Sequence, residues 1–153
     1  MSGPLAGPRA ALAVCGLVVL VDQGTKAIVD SEIERGGQVD LLPFLSFENT
    51  RNSGIAFGLA GDVSPTLIAA LGLVVVALFA FIALRVSGRG VWLAGGLLLG
   101  GALGNLADRA RQGAVTDFIE LPAWPTFNLA DVAIVAGVLL LLLTYERIEP
   151  DPG

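Results

Sequence analysis

Two aspartates stand fourteen positions apart in VTDFIELPAWPTFNLADVAIV (residues 115–135), at the mouth of an apolar run: Asp117 and Asp131. A carboxylate beside hydrocarbon is costly, and two close together repel. Burial raises a carboxyl pKa, whereas a helix N-terminus and an amide donor lower it. A pair with one member protonated and the other ionised can hold a single proton and activate water. The opposing account is structural. Asn128 and Asp131 at a helix start read as an N-cap and an acid answering the helix dipole, which explains NLAD without chemistry. Asp117 weighs against that account. In an extended VTDFIEL, Val115, Asp117, Ile119 and Leu121 point one way, so Asp117 shares an apolar face. On residue physics alone both readings stay open.

The other residue types narrow the chemistry. The chain has no histidine, which removes Ser-His-Asp and Cys-His catalysis and every His-containing metal site. Its single Cys15 lies in the first apolar run, which leaves no internal disulfide and no thiolate cluster for zinc. Carboxylates, amides, hydroxyls, Lys and Arg remain. Asp22 and Lys26, four apart, suit a helical ion pair that either neutralises itself or shapes a site. Asn105 and Arg109 share the same spacing and project from one helix face. A guanidinium beside an amide suits a phosphate head group or a peptide carbonyl, and the plainer reading of Arg109 is a snorkelling interface residue. Asp108 and Arg111, three apart, read as a surface pair.

The elements that must hold these groups are membrane helices. The chain is 54% hydrophobic and 15% charged, with a mean hydropathy of +0.77. Residues 65–84 carry no charge over twenty positions and 91–107 none over seventeen. A bilayer core takes about twenty apolar helical residues. The expected fold is an α-helical polytopic membrane protein in a single domain over 1–153. Its four transmembrane helices fall at about 10–29, 65–84, 91–107 and 128–145, with a small β-rich extracytoplasmic element at about 30–64. That segment mixes β-formers with Pro43, Gly54 and Gly58, which suits short strands on the membrane surface. Gly96, Gly100 and Gly104 recur every four residues and make a smooth stripe for close helix packing.

Arg85 and Arg89, in a connector without acids, place that connector and both termini in the cytoplasm, in agreement with Arg9 and Arg147. Arg109 and Arg111 then lie outside, against the rule, and require a reason. LAVC (12–15) looks like a lipoprotein cleavage box. Val14 occupies a position that needs a small residue, so the segment reads as a retained first span. The net charge of −5 comes without any basic tract, which argues against nucleic acid.

Five motifs occur in order: DQGTK (22–26), NSGIAFG (52–58), GGALGNLADR (100–109), VTDFIEL (115–121) and FNLADVAI (127–134). With this set the chain resembles the lipoprotein signal peptidase (signal peptidase II) family over nearly its whole length. The resemblance implies a bacterial inner-membrane aspartic endopeptidase that cuts prolipoproteins just before a diacylglyceryl-modified cysteine. It implies Asp117 and Asp131 as the catalytic pair, and Asn52, Asn105, Arg109 and Asn128 as substrate-binding positions. Asp22 is its acidic position in the first span, and Asp22 with Lys26 shapes the site. It further implies four helices with a β-rich element over the site. The acid-pair mechanism needs no metal or organic cofactor, and the chain is expected to work as a monomer in the bilayer. The family usually shows two alanines before the Phe of the second motif; Ile55-Ala56-Phe57 departs from this and bears on local packing.

The competing classes are a small transporter or proton-conducting bundle, with Asp22, Asp117 and Asp131 as relay groups, and a purely structural subunit. A relay spreads its acids through the membrane depth. Here they crowd one end, with none in the cytoplasmic halves of the last three spans before Glu146.

Overall fold

The computed structural model describes residues 6–53 and 89–146. Along these the chain forms α1 (Ala6–Glu32), β1 (Gln38–Leu42), β2 (Leu45–Asn52), α2 (Arg89–Gln112), β3 (Val115–Leu121), β4 (Trp124–Phe127) and α3 (Leu129–Glu146). The three helices fall on the first, third and fourth expected spans. The second expected span (65–84), the connector 85–88, the NSGIAFG motif beyond Ser53 and the tail from Arg147 lie outside the described residues.

Helix α2 lies between α1 and α3, and glycine is the reason it can approach both. A Cβ on Gly96 would stand 2.7 Å from the Ala11 carbonyl oxygen and 2.7 Å from Val14 Cβ. One on Gly100 would stand 2.7 Å from Val18 Cβ. From the other side, Gly137 of α3 lies against Leu98 and the Ala94 carbonyl of α2. Close backbone approach replaces hydrophobic drive where the solvent is itself hydrocarbon. Gly100→Ala forces Val18 or the α1 backbone to shift and is expected to cost about 1–3 kcal/mol, read as a lowered Tm of the purified protein in detergent.

The helices are inside out relative to a soluble bundle. Leu12, Leu17, Leu20 and Ile28 of α1 and Val135, Leu139, Leu142 and Leu143 of α3 are exposed. Asp22, Lys26, Asn105, Asp108 and Asn128 are buried. Outward leucine with inward charge is the pattern expected of a chain whose surroundings are lipid. Gly7–Glu32 and Gly90–Gln112, at 26 and 23 residues, are long and apolar enough to cross a bilayer; Leu129–Thr144 is a shorter apolar helix.

The four strands form one antiparallel sheet in the order β1-β2-β3-β4. The β-rich element is therefore built from two distant pieces of chain. Residues 38–52 supply one hairpin, and 115–127, between the last two helices, supply the other. Gly113 makes the short turn from α2 into β3 possible. Its φ of 72° suits a residue without Cβ, and its N–H closes the helix end on the Arg109 carbonyl at 3.0 Å. Arg51 of β2 bolts the sheet to α1 through Asp30, at 3.0 Å to both carboxylate oxygens, and also donates to Thr116 of β3.

The extended VTDFIEL is present as β3, but its burial does not alternate. Val115, Thr116, Asp117 and Phe118 are all buried. The face carrying Thr116 is closed by Arg51, by Gln112 at 3.2 Å and by Asp108, whose carboxylate accepts from the Thr116 N–H at 3.4 Å. Phe118, on the same face, meets Phe47 edge-on at 5.6 Å.

Candidate active site

The sheet register brings Asn52 to Asp117. Between Phe47 and Thr50 the β2–β3 pairing shifts by one residue, so that Asn52 stands opposite Val115 and Thr50 opposite Asp117. A one-residue bulge moves every later side chain to the other face. Without it, Asn52 and Asp117 would point to opposite sides of the sheet. With it they are diagonal neighbours, and Asn52 Nδ2 donates to Asp117 Oδ2 at 2.9 Å.

The start of α3 supplies the second acid. Asn128 is the N-cap, its Oδ1 accepting from the Asp131 N–H at 3.0 Å. Asp131 Oδ2 accepts in return from the Asn128 N–H at 3.2 Å, which completes a reciprocal cap. The structural reading of NLAD is therefore correct, and it does not compete with the chemical one. The same Asn128 turns its Nδ2 to Asp117 Oδ1 at 2.6 Å and to Asn105 Oδ1 at 3.1 Å. One side chain caps the helix with its oxygen and holds the other acid with its nitrogen.

Asn105 of α2 closes the arrangement by donating its Nδ2 to Asp131 Oδ1 at 2.8 Å. Asp117 and Asp131 then both line one cavity of about 600 Å³, together with Asn52, Asn105 and Arg109. Its apolar wall includes Trp124 and Phe127 of β4 and Val135 and Leu139 of α3. Asn128 is not part of that wall. It is fully buried behind the acids, so it positions them and does not face the cavity. Arg109, which breaks the charge rule in the expected orientation, is half-buried with its side chain at the cavity.

Burial pushes the Asp117 carboxyl up to about 6, aided by the charge of Asp131 and opposed by the donors Asn52 and Asn128 and by Lys26. The sign for stability follows. Between the ordinary value of 3.8 and about 6 the folded chain holds a proton that the unfolded chain has lost. The fold therefore loses stability as pH rises through that window. The carboxyl is thus kept at a cost to the fold.

Behind the acids lies a second polar cluster. The Lys26 ammonium sits between Asp22 at 2.8 Å and Asp108 at 2.7 Å. Asp22 Oδ1 also accepts the Ala130 N–H at 3.0 Å, so a carboxylate of α1 caps the first turn of α3. The expected surface pair of Asp108 and Arg111 does not form. Asp108 is drawn inside by Lys26, while Arg111 donates to Gln23 Oε1 at 2.7 Å. Asp108 and Gln23 are the polar residues that sequence reasoning missed. The available signal was the three-residue step from Asn105, which puts Asp108 on the same helix face. Among the described residues no group of three or more His, Cys, Asp or Glu is arranged to hold a metal ion.

A carboxyl pair held by amides at one end of apolar helices, opening on a hydrocarbon-walled cavity, defines a membrane enzyme of the aspartic type. The sequence profile described as Signal peptidase (SPase) II matches residues 14–146. The chain belongs to the signal peptidase II family of aspartic peptidases. It is similar to the lipoprotein signal peptidases of Brucella ovis and Brucella melitensis, at 40% identity over 133 residues, covering 83% of this chain and 83% of each relative. A solved structure described as a bacterial membrane enzyme, determined by the in meso method at 2.3 Å resolution, superposes with a TM-score of 0.81 at 29% identity, covering 90% of this chain and 87% of the other. A second of the same description, at 1.9 Å, gives 0.79 at 28% identity over 91% and 94% of the two chains.

Proposed function

We propose that Asp117 and Asp131 share one proton and use it to hydrolyse a prolipoprotein at the bond just before its diacylglyceryl-modified cysteine. As a lipoprotein signal peptidase the chain removes signal peptides from prolipoproteins. The observation that carries the mechanism is the pair of separate amide clamps, Asn52 and Asn128 on Asp117 and Asn105 on Asp131, which aim both carboxyls at one cavity. Asp117 carries the proton. Asp131 takes a second proton from water as the water oxygen attacks the peptide carbonyl, and Asp117 gives its proton to the carbonyl oxygen. When the tetrahedral species collapses, the pair protonates the leaving amine and regains one proton from the new carboxyl group.

The remaining roles follow from position. Arg109, Asn52 and Asn105 orient the polar part of the substrate, and its acyl chains lie along Val135 and Leu139. Asp22 and Lys26 shape the site from behind, and no metal or organic cofactor enters the reaction. The chain is a monomeric single domain of four spans in the bacterial inner membrane, with both termini cytoplasmic and the acids at the extracytoplasmic rim. An outer, cavity-lining Arg109 is what that orientation needs to explain its breach of the positive-inside rule.

Purified protein incubated with a diacylglyceryl-cysteine peptide is expected to release a fragment whose first residue is the lipidated cysteine, read by mass spectrometry. Cleavage at another bond, or equal cleavage of the unlipidated peptide, overturns the reading. The pH dependence is a second check. With Asp117 titrating at about 6 in the free enzyme, kcat/KM is expected to fall about tenfold per unit above that value as the shared proton is lost. A flat profile from pH 6 to 9 contradicts a shared proton.

A further inference from the structure

We propose that Lys26 is a positioning residue for the acid pair, acting by fixing which way the Asn105 amide faces. The inference rests on the reading of Asp117 and Asp131 as that pair. Asn105 presents its two ends to opposite partners. Its Oδ1 receives Lys26 Nζ at 3.1 Å and Asn128 Nδ2 at 3.1 Å, while its Nδ2 donates to Asp131 at 2.8 Å. An ammonium has three donors and no acceptor. Reversing the amide would set its NH₂ against the Lys26 ammonium and the Asn128 NH₂, and its oxygen against the Asp131 carboxylate. All three contacts turn repulsive, so only one orientation survives.

Lys26 is the partner that decides this. Asn128 Nδ2 has two hydrogens, and Asp117 Oδ1 at 2.6 Å and the Thr116 carbonyl at 3.4 Å also draw on them. The hold of Asn128 on Asn105 is thus shared. Lys26 has a separate acceptor for each of its N–H groups: Asp22, Asp108 and Asn105. The two carboxylates are themselves tied down. Gln23 Nε2 donates to Asp108 Oδ1 at 2.9 Å and to Asp22 Oδ2 at 3.2 Å, and the Ala130 N–H reaches Asp22 Oδ1. The ammonium is therefore a fixed point. It has no contact with the cavity, which Asn105 does line. It acts through Asn105: with the amide locked, Asp131 meets only an N–H donor there, and its Oδ1 is held toward the space it shares with Asp117.

The test is a double-mutant cycle in the lipidated-peptide assay. Removing Lys26 alone would strand two buried carboxylates, so Lys26→Met is made together with Asp108→Asn, which leaves the net charge of the cluster unchanged. The pair is expected to lower kcat about a hundredfold, with KM within about threefold of wild type. Asn105→Ala is expected to leave about one per cent of the turnover, and adding the pair in that background to cost less than about threefold more, because residues acting through one another are not additive. Losses that multiply across the two backgrounds overturn the proposal, as does an unchanged kcat in the pair. If the Met pair gives no cooperative thermal transition, Lys26→Gln with Asp108→Asn replaces it. Glutamine keeps a polar group in the cluster but falls one bond short of Asn105, so the same cycle applies. If neither pair folds, Lys26 is a stabilising residue and the proposal fails. Asp117→Asn and Asp131→Asn are measured alongside. Turnover by either sinks the acid-pair reading itself, whereas their inactivity with a multiplicative cycle sinks only the lock.

Discussion

Asp117→Asn and Asp131→Asn are each expected to lower kcat/KM on a lipidated peptide by about 10⁴-fold or more, with a folded, membrane-inserted protein. Both reactions of the pair, taking a proton from water and giving one to the carbonyl, fail when either acid becomes an amide. The double variant is expected to be little worse than either single one, since groups that act as a unit are not additive. Folding survives for a reason specific to each site. At position 117 an amide carries no charge to bury, and the carboxyl that it replaces has been pushed up to about 6 by that burial. The amide also gives up one of the two acceptors that receive Asn52 and Asn128, a loss of about 1 kcal/mol, so the variant is expected to fold with a stability close to that of wild type at pH 7. At position 131 the amide gives up one of two acceptors, the oxygen that receives Asn105 or the one that receives the Asn128 N–H. That loss is about 1 kcal/mol, a small part of the total. Turnover by either folded variant would falsify the two-acid mechanism.

Asn128 is expected to show the next largest effect, and two substitutions separate its functions. Asn128→Ala removes the cap on α3 and the donors to Asp117 and Asn105 together. It is expected to cost about 1–2 kcal/mol of stability and about 10²–10³-fold in kcat/KM. Asn128→Asp keeps the cap, because Asp and Asn are equally good N-caps. It replaces the N–H that faces Asp117 at 2.6 Å with an oxygen, so two carboxyls contend for one hydrogen. Its Tm is expected to stay above that of the Ala variant while its kcat/KM at pH 7 is as low or lower, with partial recovery as pH falls and a proton returns between the two oxygens. Wild-type turnover in Asn128→Asp at pH 7 would mean that the amide does nothing beyond capping the helix.

Part of the candidate site was legible before any fold, where a polar residue is anomalous in its place. A hydrocarbon environment makes every Asp, Asn, Lys or Arg conspicuous. Asp22, Lys26, Asn105 and Arg109 are identified by the cost of placing them in or beside apolar runs, and two of the spacings, 22 to 26 and 105 to 109, already state which pairs share a helix face. The helical spans are equally direct, since length and the absence of charge are one-dimensional properties. Periodicity was less informative in β3. Its residues 115–118 are buried on both faces, because the end of α2 and the side chain of Arg51 cover the side that would otherwise meet water. Alternation marks a strand only when one face is wet.

Partner choice was not legible. Asp108 has Arg111 three residues away on its own helix, yet its ion pair is with Lys26 of α1. Local spacing offers candidates, and burial selects among them, because a buried ammonium gains more from a desolvated carboxylate than an exposed arginine does. By itself, then, the sequence determined the membrane class and the helices, since those depend on composition, and it offered Asp117 and Asp131 as a candidate pair while leaving a purely structural reading of the second acid open. The tertiary structure alone decided that the acids face one cavity. That outcome depends on a one-residue bulge in β2, a glycine-lined approach of three helices and an amide of α2 reaching the cap of α3. These are contacts between positions tens of residues apart, and no local preference encodes their register.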